Sequence, residues 1–162
     1  MSKTIDYSKT VMSQVMMPNH ANSEGNVHGG EIIKLMDNAA YVVARKHARY
    51  NVVTARVDEL QFHLPVYVGN LITCQAKLVF VGNSSMEVSV KVKVENLDSD
   101  KSPRTALTAF FTMVALDDEE NPVSVPDLEL KTEAQKQAFV EGRQRYEEYK
   151  NTQNITQDQP LD

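Results

Sequence analysis

A single cysteine, Cys74, is all the thiol the chain has, so no disulfide within it can staple the fold, and a reducing compartment fits. Cys74 lies in an alternating segment between Ile72 and Ala76, where a small core residue is expected. No stretch approaches the roughly 18 apolar residues that a membrane span needs. The opening MSKTIDYSKT lacks the apolar run of a secretory leader, so a cytoplasmic protein without a membrane partner is expected. Cations are short as well: 17 lysines and arginines stand against 22 aspartates and glutamates, a net charge of −5. That balance makes no electrostatic case for nucleic acid, and an anionic ligand would need a local basic patch. Histidines and carboxylates are not grouped at ligand spacing, so no metal is expected, and there is no internal repeat.

What remains is an ordinary globular composition, 41% hydrophobic and 24% charged over 162 residues. A chain of this size buries roughly 70% of the surface it exposes when unfolded. Residues 1–126 read as a single domain. Residues 127–150 read as a charged amphipathic helical tail using Ala134, Ala138, Phe139, Tyr146 and Tyr149, and the polar NTQNITQDQPLD of 151–162 reads as disordered.

Within the domain, Thr10 to Met17 is strand-like and Pro18 closes it. The loop NSEGNVHGG, residues 22–30, then abuts a long apolar run. From Gly30 to about Ala48 apolar residues cover most of a helical circumference, with Glu31 in the first turn and Lys46, His47 and Arg49 at the last, as the macrodipole favours. Such a helix belongs inside something. Strands follow: Val52 to Phe62, then Leu71 to Val81, where Ile72, Cys74, Ala76, Leu78 and Phe80 are expected on one face. Gly82-Asn83-Ser84-Ser85 connects that strand to Met86 through Val94 as a hairpin, and the doubly apolar TALTAFFTMVAL should be a central strand. One strand, one buried helix and about four antiparallel strands make an α+β domain in which a sheet wraps a single helix. The exposed sheet edge predicts a homodimer.

Asp37 is the most informative ionisable residue. Its neighbours one turn away are Ile33, Lys34, Ala40 and Tyr41, so it stands on a largely apolar surface, as a candidate general base or as a marginal aspartate paired with Lys34. Gly29 and Gly30 allow close approach to backbone N–H groups at the positive end of a helix, an oxyanion-hole candidate. Asn22 is able to orient a water or a carbonyl, though loop asparagines often satisfy their own turn. His28 is a further candidate base. Seven residues of helix place Gly30 and Asp37 roughly 10 Å apart, too far to act on one carbonyl within one chain. If both are functional, the site is shared across a dimer interface, with Asn22 and the glycine turn of one subunit meeting Asp37 of another.

The ordered set Asn22, Gly25, His28-Gly29-Gly30, Leu35, Asp37 and Ala39-Ala40 resembles the signature of the hotdog-fold cytosolic acyl-coenzyme A thioesterases, the group that includes brain-type acyl-CoA hydrolases. The likeness continues through Val53-Thr54, Asp58, Phe62, Pro65, Gly69, Val81-Gly82, Ser84-Ser85-Met86 and FFTMVALD, and spans roughly residues 10 to 120. Where that family usually has Gly-Asp, this chain has Gly69-Asn70 in a turn. The resemblance implies a hotdog fold and hydrolysis of acyl-CoA thioesters with no cofactor beyond the CoA of the substrate. It implies that Asp37 activates water, that Asn22 positions water or carbonyl, that the His28 to Gly30 turn holds the oxyanion, and that the Thr54 hydroxyl contributes. The matching place for CoA is the turn Gly82, Asn83, Ser84 and Ser85, and Arg143 and Arg145, or Lys91, Lys93 and Arg104, are candidates to meet its phosphates. Relatives of this kind assemble as dimers grouped into hexamers, which implies a trimer of dimers.

Two other activities fit the same fold. A dehydratase acting on hydroxyacyl thioesters would need a histidine paired with a carboxylate, faintly echoed by His63-Leu64-Pro65. A non-catalytic acyl-CoA sensor would be expected to carry an added DNA-binding segment, which neither the short N-terminus nor the acidic tail supplies. Acyl chain length would depend on which of Met36, Tyr41, Phe62 and Phe110 line the tunnel.

Overall fold

The computed structural model describes residues 1–156. Its elements in chain order are β1 (Ser2–Thr4), α1 (Ile5–Ser8), β2 (Thr10–Val15), a 3-10 turn (Pro18–His20), α2 (Gly29–Ala48), β3 (Asn51–Phe62), β4 (Leu71–Val81), β5 (Ser85–Glu95), β6 (Arg104–Leu116), β7 (Asp127–Glu129) and α3 (Glu133–Thr156). Five strands make one antiparallel sheet in the order β2-β4-β5-β6-β3. The sheet wraps α2, as the sequence pattern predicts. β6 lies between β5 and β3, the central position expected for a strand apolar on both faces.

α2 supplies the core. Ile32, Leu35, Met36, Ala39, Ala40, Val43 and Ala44 are buried against the inner sheet face, which contributes Ile72, Cys74, Ala76, Leu78, Met86, Val88, Phe111 and Met113. Four alanines on the buried stripe, Ala39, Ala40, Ala44 and Ala48, let helix and sheet approach closely. Burial pushes the Cys74 thiol up to about 12, as befits an inert core residue. The helix ends where Arg49 adopts a left-handed conformation at φ 62° and its N–H returns to the Arg45 carbonyl. α2 is less completely buried than its composition suggests: Lys34, Asn38, Tyr41 and Arg45 form an exposed stripe along one side, with Asp37 at its margin.

Among the described residues the ladder shifts register at four places, and two of these shifts bear on the site and on α3. The pairing of β4 with β5 shifts between Leu78 and Phe80, leaving Val79 as an extra residue. Phe80 is thereby turned off the face expected from simple alternation and onto the outer face, where its ring packs against Phe139 and Tyr146 of α3 at 5.0 and 5.6 Å. A second shift, between Thr54 and Arg56, leaves Ala55 extra in β3.

The C-terminal segment departs from the expected helix over 127–150. Asp127–Glu129 pairs in parallel with Ser2–Thr4, and the helix begins only at Glu133, where the Thr132 hydroxyl accepts the Gln135 N–H at 3.1 Å as an N-cap. The same helix continues to Thr156, so residues 151–156 are helical where disorder is expected. The remainder of that expectation, 157–162, lies outside the described residues. α3 lies across the outer sheet face. Gly142 seats it there: a Cβ at this position would come within 2.7 Å of the Phe80 Cβ. Beside it, Arg145 pairs with Glu87 at 2.6 Å, and Glu87 is only 3% exposed.

Candidate active site

The loop before α2 is a small hydrogen-bonded hairpin. The Asn22 N–H donates to the Asn26 carbonyl at 2.8 Å, and the Asn22 side-chain oxygen accepts the N–H groups of Glu24 and Asn26 at 3.0 and 3.2 Å. Gly25 closes this turn at φ 86°, a conformation costly for other residues. The Asn22 carbonyl and side-chain oxygen are therefore spent locally, and its amide Nδ2 is the group left to meet a ligand. The Val27 N–H donates to the Val66 carbonyl and the His28 N–H to the His20 carbonyl, which fix the loop against its neighbours. His28 itself is exposed and stands at the N-cap of α2.

Gly29 and Gly30 open the helix, so their N–H groups have no partner within it and share the positive end of the dipole. They are not equivalent. A Cβ on Gly29 would lie 2.9 Å from the Phe62 ring, while a Cβ on Gly30 would meet nothing within 4 Å.

Two turns further on, Asp37 is met by β3. Thr54 Oγ1 donates to Asp37 Oδ1 at 2.5 Å and lies 3.4 Å from the Met113 sulfur. The structure thus brings Asp37 and Thr54 together, and separately closes the Asn22 hairpin, through the Ala21–Val27 bridge, just ahead of the His28–Gly30 turn. It does not join the two groups within one chain, because the helix rise holds them roughly 10 Å apart. β3 is an edge strand, and its neighbourhood is unusually apolar for solvent: Tyr41 is 40% exposed, Val53 43%, Val57 40% and Phe62 57%.

The remaining expected site residues are scattered. Gly82 to Ser85 turns the chain at the opposite sheet end from Gly29. Its Asn83 carbonyl accepts from Val125, the Asn83 side chain from Ser124, and the Ser84 carbonyl from Ala115, so the N–H groups of Asn83 and Ser84 are the free donors among the described residues. Arg143 lies exposed over the Phe139 ring at 5.2 Å. Arg145 is held by the Glu87 carboxylate and stacks on Phe110 at 3.7 Å. That contact places Phe110 on the outer face, away from any tunnel beside α2. Lys91 is exposed, Lys93 half-buried and Arg104 exposed, along β5 and at the start of β6. His63 shares its Nε2 hydrogen bond with Thr108 at 3.0 Å. Sequence alternation missed the Ala55 bulge, and no residue-type signal announces it.

A sheet wrapped round one helix, with a carboxylate on that helix and bare N–H groups at its start, defines a hotdog-fold protein. Residues 24–99 match the thioesterase superfamily. The cytosolic acyl coenzyme A thioester hydrolase of Rattus norvegicus is 38% identical over 97% of this chain, which spans 42% of that relative's length. The acyl-CoA hydrolase of Staphylococcus aureus, solved in complex with butyryl coenzyme A and coenzyme A, superposes with a TM-score of 0.86 at 29% identity, covering 96% of this chain and 94% of that one. A hexameric acyl-CoA thioesterase superposes with a TM-score of 0.86 at 31% identity, covering 93% and 96%. The chain belongs to the thioesterase superfamily. Among the described residues no helix is long and apolar enough to cross a membrane.

Proposed function

We propose that this protein hydrolyses acyl-CoA thioesters in the cytosol, as a dimer whose two sites are each shared between subunits. The observation that carries the reading is the Thr54–Asp37 hydrogen bond, set beside an open, apolar edge strand. Two copies pairing edge to edge through β3 would cover Val53, Val57 and Phe62 and satisfy the unpaired edge. A two-fold axis makes the paired strands antiparallel, which sets the Asp37–Thr54 pair of one copy beside the glycine turn of the other.

In that arrangement Thr54 donates to Asp37 Oδ1 and fixes the carboxylate, leaving Oδ2 to take a proton from water. The hydroxide so formed attacks the thioester carbon. Charge developing on the carbonyl oxygen is met by the N–H groups of Gly29 and Gly30, at the helix end that favours it, with Asn22 Nδ2 and His28 at its rim. Collapse of the tetrahedral species expels the CoA thiolate, which takes the proton held by Asp37 and restores its carboxylate, and leaves the free acid, so the reaction calls for no further cofactor. The Gly82 to Ser85 turn of the Asp37 subunit would then lie at the partner's end of the site, and its free N–H groups and Arg143 would receive CoA phosphates. Arg145, committed to Glu87, is not part of that set.

The spacing of alanine variants made in the Staphylococcus aureus hydrolase supports the assignment. Those variants replace an asparagine, an aspartate and a threonine that lie 15 and 17 residues apart, the spacing of Asn22, Asp37 and Thr54. The hexameric relative supports a trimer of dimers. The test is subunit complementation with separately tagged Asn22→Ala and Asp37→Ala chains. Each homodimer should be nearly inactive in thiol release from butyryl coenzyme A, and the isolated heterodimer should recover about half of wild-type activity, since one of its two sites carries neither change. A heterodimer no more active than either parent would sink the shared site.

A further inference from the structure

The bulge at Ala55 links the proposed chemistry to the far side of the sheet. Residues two apart on a regular strand share a face. Thr54 and Arg56 do not: Thr54 pairs with Met113 and points inward to Asp37, whereas Arg56 pairs with Thr112, which in turn pairs with Glu87 on the outer face. The extra residue is what lets Thr54 turn toward the carboxylate while the strand after it faces α3. A bulge is a locally disrupted stretch of ladder, and its geometry holds only as well as its flanks are fixed.

Thr54 is held on the inner flank by Asp37 and Met113. Arg56 is held on the outer flank from two sides, by Asp58 Oδ1 at 2.5 Å and by the ring of Tyr149, with the guanidinium carbon 3.9 Å from the ring centroid. Tyr149 stands on α3 four residues beyond Arg145, one turn from the ion pair that anchors the helix. The guanidinium–ring contact is thus presented by a helix that is itself fixed to the sheet.

Resting on the reading of Asp37 and Thr54 above, we propose that Tyr149 and Arg56 are positioning residues for hydrolysis: α3 clamps the Ala55 bulge through the Arg56–Tyr149 stack and thereby aims the Thr54 hydroxyl at Asp37. The clamp acts on the proton-transfer step: the Arg56 guanidinium and the Tyr149 ring are spent on each other and on Asp58, apart from the groups assigned to CoA.

The test uses the full-length chain and thiol release from butyryl coenzyme A, with kcat and KM measured well below each variant's Tm. Tyr149→Ala should lower kcat about tenfold and leave KM within about twofold of wild type, as expected when a reacting group is mis-aimed. Tyr149→Phe, which keeps the aromatic face, should retain most of the activity. Arg56→Lys, which keeps the charge beside Asp58 but loses the planar stack, should reproduce the Tyr149→Ala loss. In a Thr54→Ala background, Tyr149→Ala should lower kcat no further. An unchanged kcat with a lowered Tm, or an equal fractional loss with and without Thr54, would make α3 a structural prop only and overturn the proposal. A wild-type protein that releases no thiol would instead refute the hydrolase reading itself, so the two failures are distinguishable.

Discussion

α2 and α3 sit on opposite faces of one sheet and are held there by different means. α2 is joined by a continuous apolar stripe from Ile32 to Ala48, spread over most of the inner face. α3 is polar along most of its length and touches the outer face at a few points: Phe139 and Tyr146 on Phe80, Gly142 in contact with β4, Arg145 on Glu87 and Tyr149 on Arg56. A distributed interface loses a fraction of its energy when one residue changes, whereas a punctuated one loses its register. The inner helix therefore reads as fixed scaffold. The outer helix is the element that small changes would release.

The largest effect should come from the ion pair. Burial pushes the Glu87 carboxyl up, and the Arg145 guanidinium counters this by hydrogen bonding and charge. Arg145→Leu leaves that carboxylate buried without its partner, and should cost about 3–5 kcal/mol of stability. Replacing both by Leu should recover most of it, since a well-packed apolar pair often matches a buried ion pair. Hydrogen exchange sharpens the contrast: Arg145→Leu should strip protection from α3 while α2 keeps its own. Equal loss in both helices would erase the distinction between distributed and punctuated packing.

Gly142→Ala comes next. In a free helix alanine is favoured over glycine by about 1 kcal/mol. Here the new methyl would lie 2.7 Å from Phe80 Cβ and 3.2 Å from Glu87 Oε1, so the helix must lift off the sheet. Overpacking of this kind costs about 1–3 kcal/mol, and the net sign should be destabilising in chemical denaturation. A stabilised variant would show that α3 tolerates sliding, and that its position is not set at this glycine.

These differences in packing also govern what the sequence discloses. α2 was legible because its apolar positions repeat over five turns, and the β4–β5 hairpin because alternation runs on both sides of a glycine turn. Asp37 stood out for the same reason, as an ionisable group set against that repeat. The bulges at Ala55 and Val79 left no such trace. Each is one residue of ordinary type, and yet it reverses the face of the residues that follow it, taking Phe80 outward and letting Thr54 turn in while Arg56 turns out. Arg145 had the charge to hold a phosphate, and nothing in the sequence disclosed that Glu87, at alternating position in β5, would be buried beneath it. The β1–β7 pair was missed because strands of three residues carry no period to read.

Near the end of α2, a polar side chain, His47, is fully buried. Its Nε2 bonds the Pro126 carbonyl at 2.7 Å, so that nitrogen carries the proton, and Nδ1 is left buried without a partner. Lys3 donates to the His47 carbonyl nearby, adding positive charge. Burial holds the imidazole below its ordinary value against the pull of the Pro126 carbonyl. The unfolded chain therefore binds the proton first, and the neutral ring's contribution is full above about pH 6.5 and lost below it, by up to about 1.4 kcal/mol per pH unit. Tm measured from pH 7.5 to 5.5 should fall below about pH 6.5 in the wild type, and less steeply in His47→Asn, which takes up no proton. Matching slopes in the two proteins would remove His47 as the source.

The smallest effects should separate the two glycines at the start of α2. Both present N–H groups to the proposed oxyanion, and neither has a positive φ, so backbone strain does not distinguish them. Sterics does. Gly29→Ala would bring a methyl within 2.9 Å of Phe62, a side chain 57% exposed in the single chain that would be covered by β3 pairing. Gly30→Ala enters open space and gains helix propensity, so in the isolated chain it should be neutral or stabilising by less than about 1 kcal/mol. In a free subunit Phe62 is able to swing aside and Gly29→Ala should also be mild. In a dimer that pins the ring, the same change should lower kcat and weaken association, which sedimentation velocity and thiol release would report together. If Gly29→Ala and Gly30→Ala behave alike in both measurements, Phe62 is not held at the interface, and the edge-to-edge geometry of the shared site would have to be redrawn.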